Sequence, residues 1–456
     1  MKPRFIAVLA LVAAAGCDFP SASSQGTPRG YAAPATRMVV APNTLTHGKI
    51  SHVVIIFQEN RSVDNLFAGL KGADTVKYGL NSAGKRITLR PIPLTAPYDL
   101  DHEHRAYVTE SDNGKLDGFN LVRQTCRPGN ACTAADRAAY GYVPQTQVEP
   151  YFDMAEQYAF ADRMFQTNQG PSFPAHQYII SGTSTISQGS SLRASENPFA
   201  PTQSYTGGCN SPKGSLVLLI DQNGQELQEM YPCFDRPTLM DLATTKGLTW
   251  RYYESKLGAG LWNGPDAIQH LAEGSQFSTD VVAPPSQVLT DIANGDLANV
   301  VWVTPKAADS DHADVNKGRG PAWVASVVNA IGESKYWDST AIIVTWDDWG
   351  GWYDHVPPPT YNSYELGFRV PAIVISAYAK QAYVSHKQHE FGSILKFVEM
   401  AFGLGSLGTT DERADDLRDC FDFSKKPRTF TPIPASLRAR YFLDEPPGDA
   451  PVDDGF

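Results

Sequence analysis

The residues of this chain that could do chemistry stand where apolar runs stop. Residues 53–57, Val-Val-Ile-Ile-Phe, empty into Gln58, Glu59, Asn60 and Arg61, and residues 340–346 empty into Asp347 and Asp348. A carboxylate and an amide in one place and two carboxylates in the other are hard oxygen donors of the kind that hold a divalent cation. Adjacent carboxylates at a buried strand end are costly unless a cation or strong donors compensate them, so Asp347 and Asp348 are the most informative pair. Trp346 and Trp349 flank the pair and argue against a turn with both side chains in water. Ser172 lies in Asn168-Gln-Gly-Pro-Ser, a Gly-Pro turn ahead of a helical stretch over 175–181. Such a turn exposes the hydroxyl, and a helix N-terminus favours a nearby anion. A simple N-cap is the commoner role for a serine so placed. His102 and His104, in Asp-Leu-Asp-His-Glu-His, are candidate metal ligands, phosphate donors or solvated residues; His312, and His355 close behind Asp347-Asp348, are further candidate groups. A serine hydroxyl held on a cation is an activated nucleophile toward phosphate esters. His104, His312 and Asn60 would then donate to the non-bridging oxygens, and a histidine would supply the leaving group's proton.

Elements must bring these segments together. Residues 53–57 suit a strand buried on both faces, as in the middle of a parallel sheet. Ligands in open α/β sheets bind beyond the carboxyl ends of the strands, where Glu59 and Asn60 would lie. Further strands are expected at 248–253, 300–303, 340–346 and 368–376, and helices at 63–70, 149–160, 238–243, 321–334 and 392–402. Strands alternating with helices predict an α/β fold, a three-layer α/β/α arrangement around a mainly parallel sheet. Residues 183–235, rich in Ser, Thr, Asn and Gly, read as a loop-rich excursion over the site. Trp349, Trp352 and Tyr353 either line space for a leaving group or belong to the core.

The 456 residues suffice for one large domain or two, and a formal net charge of −11 disfavours a broad nucleic-acid surface. Phosphate chemistry remains open, because a metal ion supplies local positive charge. Lys2 and Arg4, an apolar stretch over 5–15 and Ala14-Ala15-Gly16-Cys17 read as an export signal. The Cys after Ala-Gly resembles a bacterial lipobox, with Cys17 as the lipidated residue and membrane anchor of the mature chain; an ordinary signal peptide is the alternative. Residues 18–46 read as a flexible tether, 47–440 as the catalytic domain and 441–456 as an acidic tail. Export to an oxidising compartment makes disulfides expected. Proximity pairs Cys126 with Cys132, and Cys209 with Cys233 across an Asp221-Gln-Asn-Gly hairpin turn, leaving Cys420 alone.

Three stretches carry a resemblance: Glu59-Asn-Arg-Ser-Val-Asp-Asn-Leu-Phe, Asn168-Gln-Gly-Pro-Ser-Phe-Pro and Asp347-Asp-Trp-Gly-Gly-Trp-Tyr-Asp-His-Val-Pro-Pro. They resemble the bacterial phosphoesterase family of phospholipases C and acid phosphatases. The match runs in order from about His52 to Ile433, through Leu366-Gly-Phe-Arg-Val-Pro and Phe421-Asp-Phe. It implies an alkaline-phosphatase-like fold and a hydrolase of phosphate mono- or diesters, phospholipids included. It further implies one divalent metal ion on Glu59, Asn60, Ser172, Asp347 and Asp348, with Ser172 as nucleophile. His104, or alternatively His102, and also His312 and His355, resemble the site histidines. Many relatives carry Asp-Glu where this chain has Asp347-Asp348, and Ser172 in place of threonine leans toward the acid-phosphatase branch. The competing reading, from another class, is a non-catalytic envelope lipoprotein that binds phosphate or a lipid head group.

Overall fold

In the computed structural model, residues 45–126, 134–201 and 206–448 are described. All of them fall within one unit, Val40–Phe456. Cys17, the leader and all but the last two residues of the expected tether lie outside the described residues. The framework is a nine-stranded sheet among the described residues. Its strands are β1 (His52–Gln58), β2 (Ala159–Phe165), β3 (Trp250–Tyr253), β4 (Val281–Val282), β5 (Val300–Val303), β6 (Thr340–Trp346), β7 (Arg369–Ser376), β8 (Tyr383–Ser385) and β9 (His389–Glu390). They lie in the order β4-β3-β5-β1-β6-β7-β2-β8, with β9 also on β2. Strand β7 alone runs against its neighbours β6 and β2; the remaining pairings are parallel.

Strand β1 is central because its residues 53–57 are apolar on both faces and wholly buried, which only a doubly covered sheet position satisfies. Val53 pairs with Val300 on one side and Ala341 on the other. Helices α1 (Val63–Leu66), α2 (His104–Ser111), α3 (Glu149–Gln157), α4 (Ser172–Ser181), α5 (Leu239–Thr245), α6 (Gln287–Asn294), α7 (Gly320–Gly332) and α8 (Phe391–Phe402) follow in chain order. Helices α3, α6 and α7 pack on one another as one covering layer, and α4, α5 and α8 form a second. The three-layer α/β/α architecture expected from the sequence is therefore present.

Register sets the position of the site. Gln58 pairs with Trp346, so residues 59–60 and 347–348 leave the sheet at the same edge. Val303 pairs with Ile56, which sends the His312 loop out of that edge as well. Strand β2 is parallel to β6 through the reversed β7, so Phe165 points the chain toward the same edge and on to Ser172. Four segments far apart in sequence thus converge at the carboxyl ends of parallel strands.

Several expectations need correction. The helix expected over 149–160 ends at Gln157, and residues 159–165 form a core strand instead. Asp162 and Arg163 hide that strand in the sequence; in the structure Asp162 is buried and accepts from the backbone N–H of Asp74 and lies against His386. The helix expected at 63–70 covers only Val63–Leu66, with Ser62 as N-cap. Helix α4 starts at Ser172 itself, with Pro171 in the N-cap position, so the hydroxyl is not used for capping. Trp349, Trp352 and Tyr353 are buried against Phe119, Tyr140 and Phe368 and are core residues. The excursion holds a small antiparallel sheet of Arg193–Ala194, Val217–Ile220 and Gln228–Met230, joined by the Cys209–Cys233 disulfide. Its apolar side packs with Phe173 of α4 and with Trp262. Cys126 is disulfide-bonded, Cys132 lies outside the described residues, and Cys420 is a buried free thiol.

Candidate active site

The turn after β1 is built by hydrogen bonds to the end of β6. The Asp347 N–H donates to the Gln58 carbonyl at 3.0 Å, the Asn60 N–H to Asp347 Oδ1 at 3.1 Å, and the Arg61 N–H to the Asp348 carbonyl at 3.0 Å. Asn60 takes a left-handed backbone, φ 60°, which asparagine tolerates better than most residues. Gly350, φ 62°, lies under this turn, and a Cβ there would come within 2.5 Å of the Asn60 carbonyl oxygen. Arg61 ties the turn to the next loop: its Nε donates to the Asp311 carbonyl at 2.9 Å and its guanidinium also holds the Leu94 carbonyl and Asn65. Asp311 is fixed in turn by the Tyr151 hydroxyl and the Trp346 indole, and burial raises its carboxyl to about 6.

Ser172 meets the acidic pair. Its hydroxyl donates to Asp348 Oδ2 at 3.4 Å, and Asp348 Oδ1 accepts from the Gly350 N–H at 2.7 Å. The Gly-Pro turn that presents Ser172 is pinned by Gln166 and Asn168, both of which donate to the Gly170 carbonyl. Gln166 also accepts from the Trp349 N–H, which couples this turn to the one carrying Asp347 and Asp348. Glu59, Asn60, Ser172, Asp347 and Asp348 are all fully buried.

Of the two neighbouring histidines, His102 meets Asn60. Its Nδ1 lies 2.6 Å from the Leu100 carbonyl, which can only accept, so that nitrogen carries a hydrogen. Its Nε2 is 3.1 Å from the Asn60 side-chain nitrogen. The His312 ring is edge-on to His102 at 6.1 Å and 6.3 Å from the Trp262 ring, with its Nδ1 on the Ala313 carbonyl.

His104 and His355 occupy other surroundings. His104 has its Nδ1 on the Gln169 carbonyl and its backbone N–H on Glu196, and burial lowers its pKa. His355 lies between Asp64 at 2.6 Å and Asp74 at 3.1 Å, with the buried Arg369–Asp354 ion pair alongside. None of these contacts reaches Ser172, Asn60 or the Asp347–Asp348 pair. Sequence reasoning passes over His176, which lies one turn beyond Ser172 on the same face of α4. Its Nε2 is 3.3 Å from Glu59 Oε1 and 3.9 Å from Asp347 Oδ2. Burial lowers its pKa to about 4. The i, i+4 spacing from Ser172 is the signal that could have found it.

The donor set fits a divalent cation. Asn60 Oδ1 and Asp347 Oδ2 are buried and have no hydrogen-bond partner among the described residues. Donor atoms of Glu59, His176 and Asp347 all lie within 4.8 Å of one another. Buried lone pairs gathered in this way are unfavourable unless a positive charge sits among them. Two further groups of donors occur among the described residues: Asp64, Asp354 and His355, and His389, Asp419 and Cys420. The first already contains the Arg369 guanidinium as its counter-charge.

Comparison with known proteins agrees with the motifs. Phospholipase C A of Mycobacterium tuberculosis is 24% identical over 439 residues, covering 84% of this chain and 79% of that protein. Phospholipase C B of the same organism is 25% identical over 450 residues, with 84% and 80% covered. Non-specific phospholipase C1 of Arabidopsis thaliana is 22% identical over 437 residues, with 84% and 73% covered. A solved structure of a protein in the alkaline phosphatase superfamily from Vibrio parahaemolyticus aligns over 82% of this chain and 71% of that one, at 11% identity and a TM-score of 0.36. The model of the Phosphoesterase family matches residues 50–405, and this chain belongs to that family, a hydrolase acting on phosphoric esters.

Proposed function

We propose that the chain is a metal-dependent phosphoric ester hydrolase that attacks phosphorus with Ser172 Oγ. The observation that carries this reading is the 3.4 Å contact between the Ser172 hydroxyl and Asp348 Oδ2, at the edge where Glu59, Asn60 and Asp347 also end. Glu59, Asn60, Ser172, Asp347 and Asp348 are the residues that would hold the ion. A bound divalent cation would supply positive charge that lowers the hydroxyl's pKa and offsets charge growing on the phosphoryl oxygens. Asp348, which accepts from that hydroxyl, would take the Ser172 proton as the new oxygen–phosphorus bond forms and the bond to the leaving group breaks. The N-terminus of α4 favours the anion at Ser172. His312 is the donor for the leaving oxygen, and water then releases the phosphoryl group from the serine, as inorganic phosphate from a monoester or as the phosphorylated alcohol from a diester. His102 acts through Asn60, whose amide it orients.

The relatives named as phospholipases C support a phosphodiester of a lipid as substrate, and a phosphomonoester is the second candidate. An exported chain anchored through Cys17 would meet lipid at a membrane surface. No helix among the described residues is long and apolar enough to cross a membrane. The test is Ser172→Ala, assayed on p-nitrophenyl phosphate and on phosphatidylcholine vesicles with and without chelator. Turnover should fall at least about 1000-fold while the fold is kept, since loss of a nucleophile removes covalent catalysis outright. Wild-type turnover by the alanine variant overturns the proposal.

A further inference from the structure

We infer that His176 is a nitrogen ligand of the cation centre, and that the centre therefore takes a borderline ion of the zinc type in preference to magnesium or calcium. The inference rests on the metal-dependent reading above and adds a ligand from outside the family motifs. Its basis is the hydrogen-bond chain behind the ring. The Tyr252 hydroxyl has one hydrogen, and it donates that hydrogen to the Trp262 carbonyl at 2.5 Å, a group that can only accept. Tyr252 Oη is also 3.1 Å from His176 Nδ1, so there it accepts and Nδ1 is the protonated nitrogen. The neutral ring then has its lone pair on Nε2, which faces Glu59 Oε1 and Asp347 Oδ2.

Three electron-pair donors facing one another in a fully buried place need positive charge between them. A proton on Nε2 is a poor answer. The 3.3 Å separation from Glu59 is long for a charge-assisted hydrogen bond, which is typically about 2.7–2.9 Å. It would also leave Asp347 Oδ2, at 3.9 Å, with no donor. A cation fits better. With bonds of about 2.0–2.1 Å, one zinc ion can reach both Nε2 and the oxygens that lie 3.3 and 3.9 Å from it. Histidines that bind metals nearly always give their other N–H to an oxygen that fixes ring and tautomer, the part Tyr252 plays here. Imidazole suits zinc, copper, iron and nickel, whereas magnesium and calcium favour oxygen. The Trp262 ring, nearly parallel to His176 at 6.4 Å, flanks the imidazole.

The test uses the full chain, stripped with chelator and reloaded with zinc, and measures X-ray absorption at the zinc edge. The expected result is imidazole scattering from the first shell in the wild type, lost in His176→Gln. Zinc affinity should drop at least about 10- to 100-fold in that variant. Tyr252→Phe removes the acceptor that sets the tautomer and should weaken zinc about 10-fold. It serves if the glutamine variant does not fold. An all-oxygen shell in an active wild type overturns this inference alone, as does imidazole scattering that survives in His176→Gln or unchanged zinc affinity in Tyr252→Phe. Failure of the wild type to bind any divalent ion overturns both this inference and the metal-dependent reading.

Discussion

Replacing Gly350 by alanine would drive a methyl group into the turn that presents Asn60. The added carbon would stand 2.5 Å from the Asn60 carbonyl oxygen, 2.7 Å from its Cβ and 2.9 Å from its carbonyl carbon. These neighbours are backbone or the first side-chain atom, so rotating a side chain cannot relieve the clash. A left-handed backbone costs a residue with a Cβ about 1–2 kcal/mol, and overpacking adds about 1–3 kcal/mol. Together they predict a loss of about 2–5 kcal/mol. The unfolding entropy of a domain of about 400 residues is roughly 0.8 kcal/mol per kelvin, so Tm should fall by about 2–6 °C. Displacing Asn60 by even about 1 Å should cost turnover about 100-fold. The assay is thermal unfolding beside p-nitrophenyl phosphate hydrolysis at a temperature where the variant is folded. Gly405→Ala is the control: nothing lies within 4 Å of a Cβ built there, and its backbone needs no glycine, so both readings should stay at the wild-type level. A Gly350→Ala protein with wild-type Tm and turnover would refute the close approach of the two turns.

Two other perturbations report on the surrounding scaffold. Replacing Cys209 and Cys233 together by serine opens a loop with a sequence separation of 24, and should cost roughly 3.5 kcal/mol by the loop-entropy relation, read as a lower Tm under oxidising conditions. His270 bridges Asp241 and Asp235; the hydrogen bond to Asp241 is the largest cause, and together with Asp235 it outweighs burial and raises the imidazole to about 9. A raised folded-state pKa stabilises fully below the unfolded value of 6.5 and fades as pH climbs through about 9. His270→Gln should therefore lower Tm at pH 6 by about 1 °C, a small effect because the pair is partly exposed, and the gap to wild type should close by about pH 10.

How much of this is legible in the sequence depends on how local the signal is. Strands β1 and β6 are unbroken apolar runs, and the residues that leave them are readable as an edge site without coordinates. Strand β2 is not, because Asp162 and Arg163 interrupt its pattern and only pairing with β7 on one side and β8 and β9 on the other makes it a strand. The choice between His102 and His104 turns on contacts with Asn60 and Gln169, which neither spacing nor composition encodes. His176 is invisible for the same reason: Glu59 is 117 positions away. His355 is near Asp348 in the chain, but the loop carries it to Asp64 and Asp74. Trp349 and Trp352 look like lining residues beside an acidic pair, and only packing against Phe368 and Tyr140 assigns them to the core.

The central claim is that Ser172 takes the phosphoryl group before water does. The stereochemical course at phosphorus reads this directly, using a substrate made chiral there by oxygen isotopes or sulfur. Two successive in-line displacements, the first by Ser172 Oγ and the second by water, give overall retention, which is the result expected. Inversion would mean that water attacks the substrate in a single step, and the serine mechanism would be contradicted.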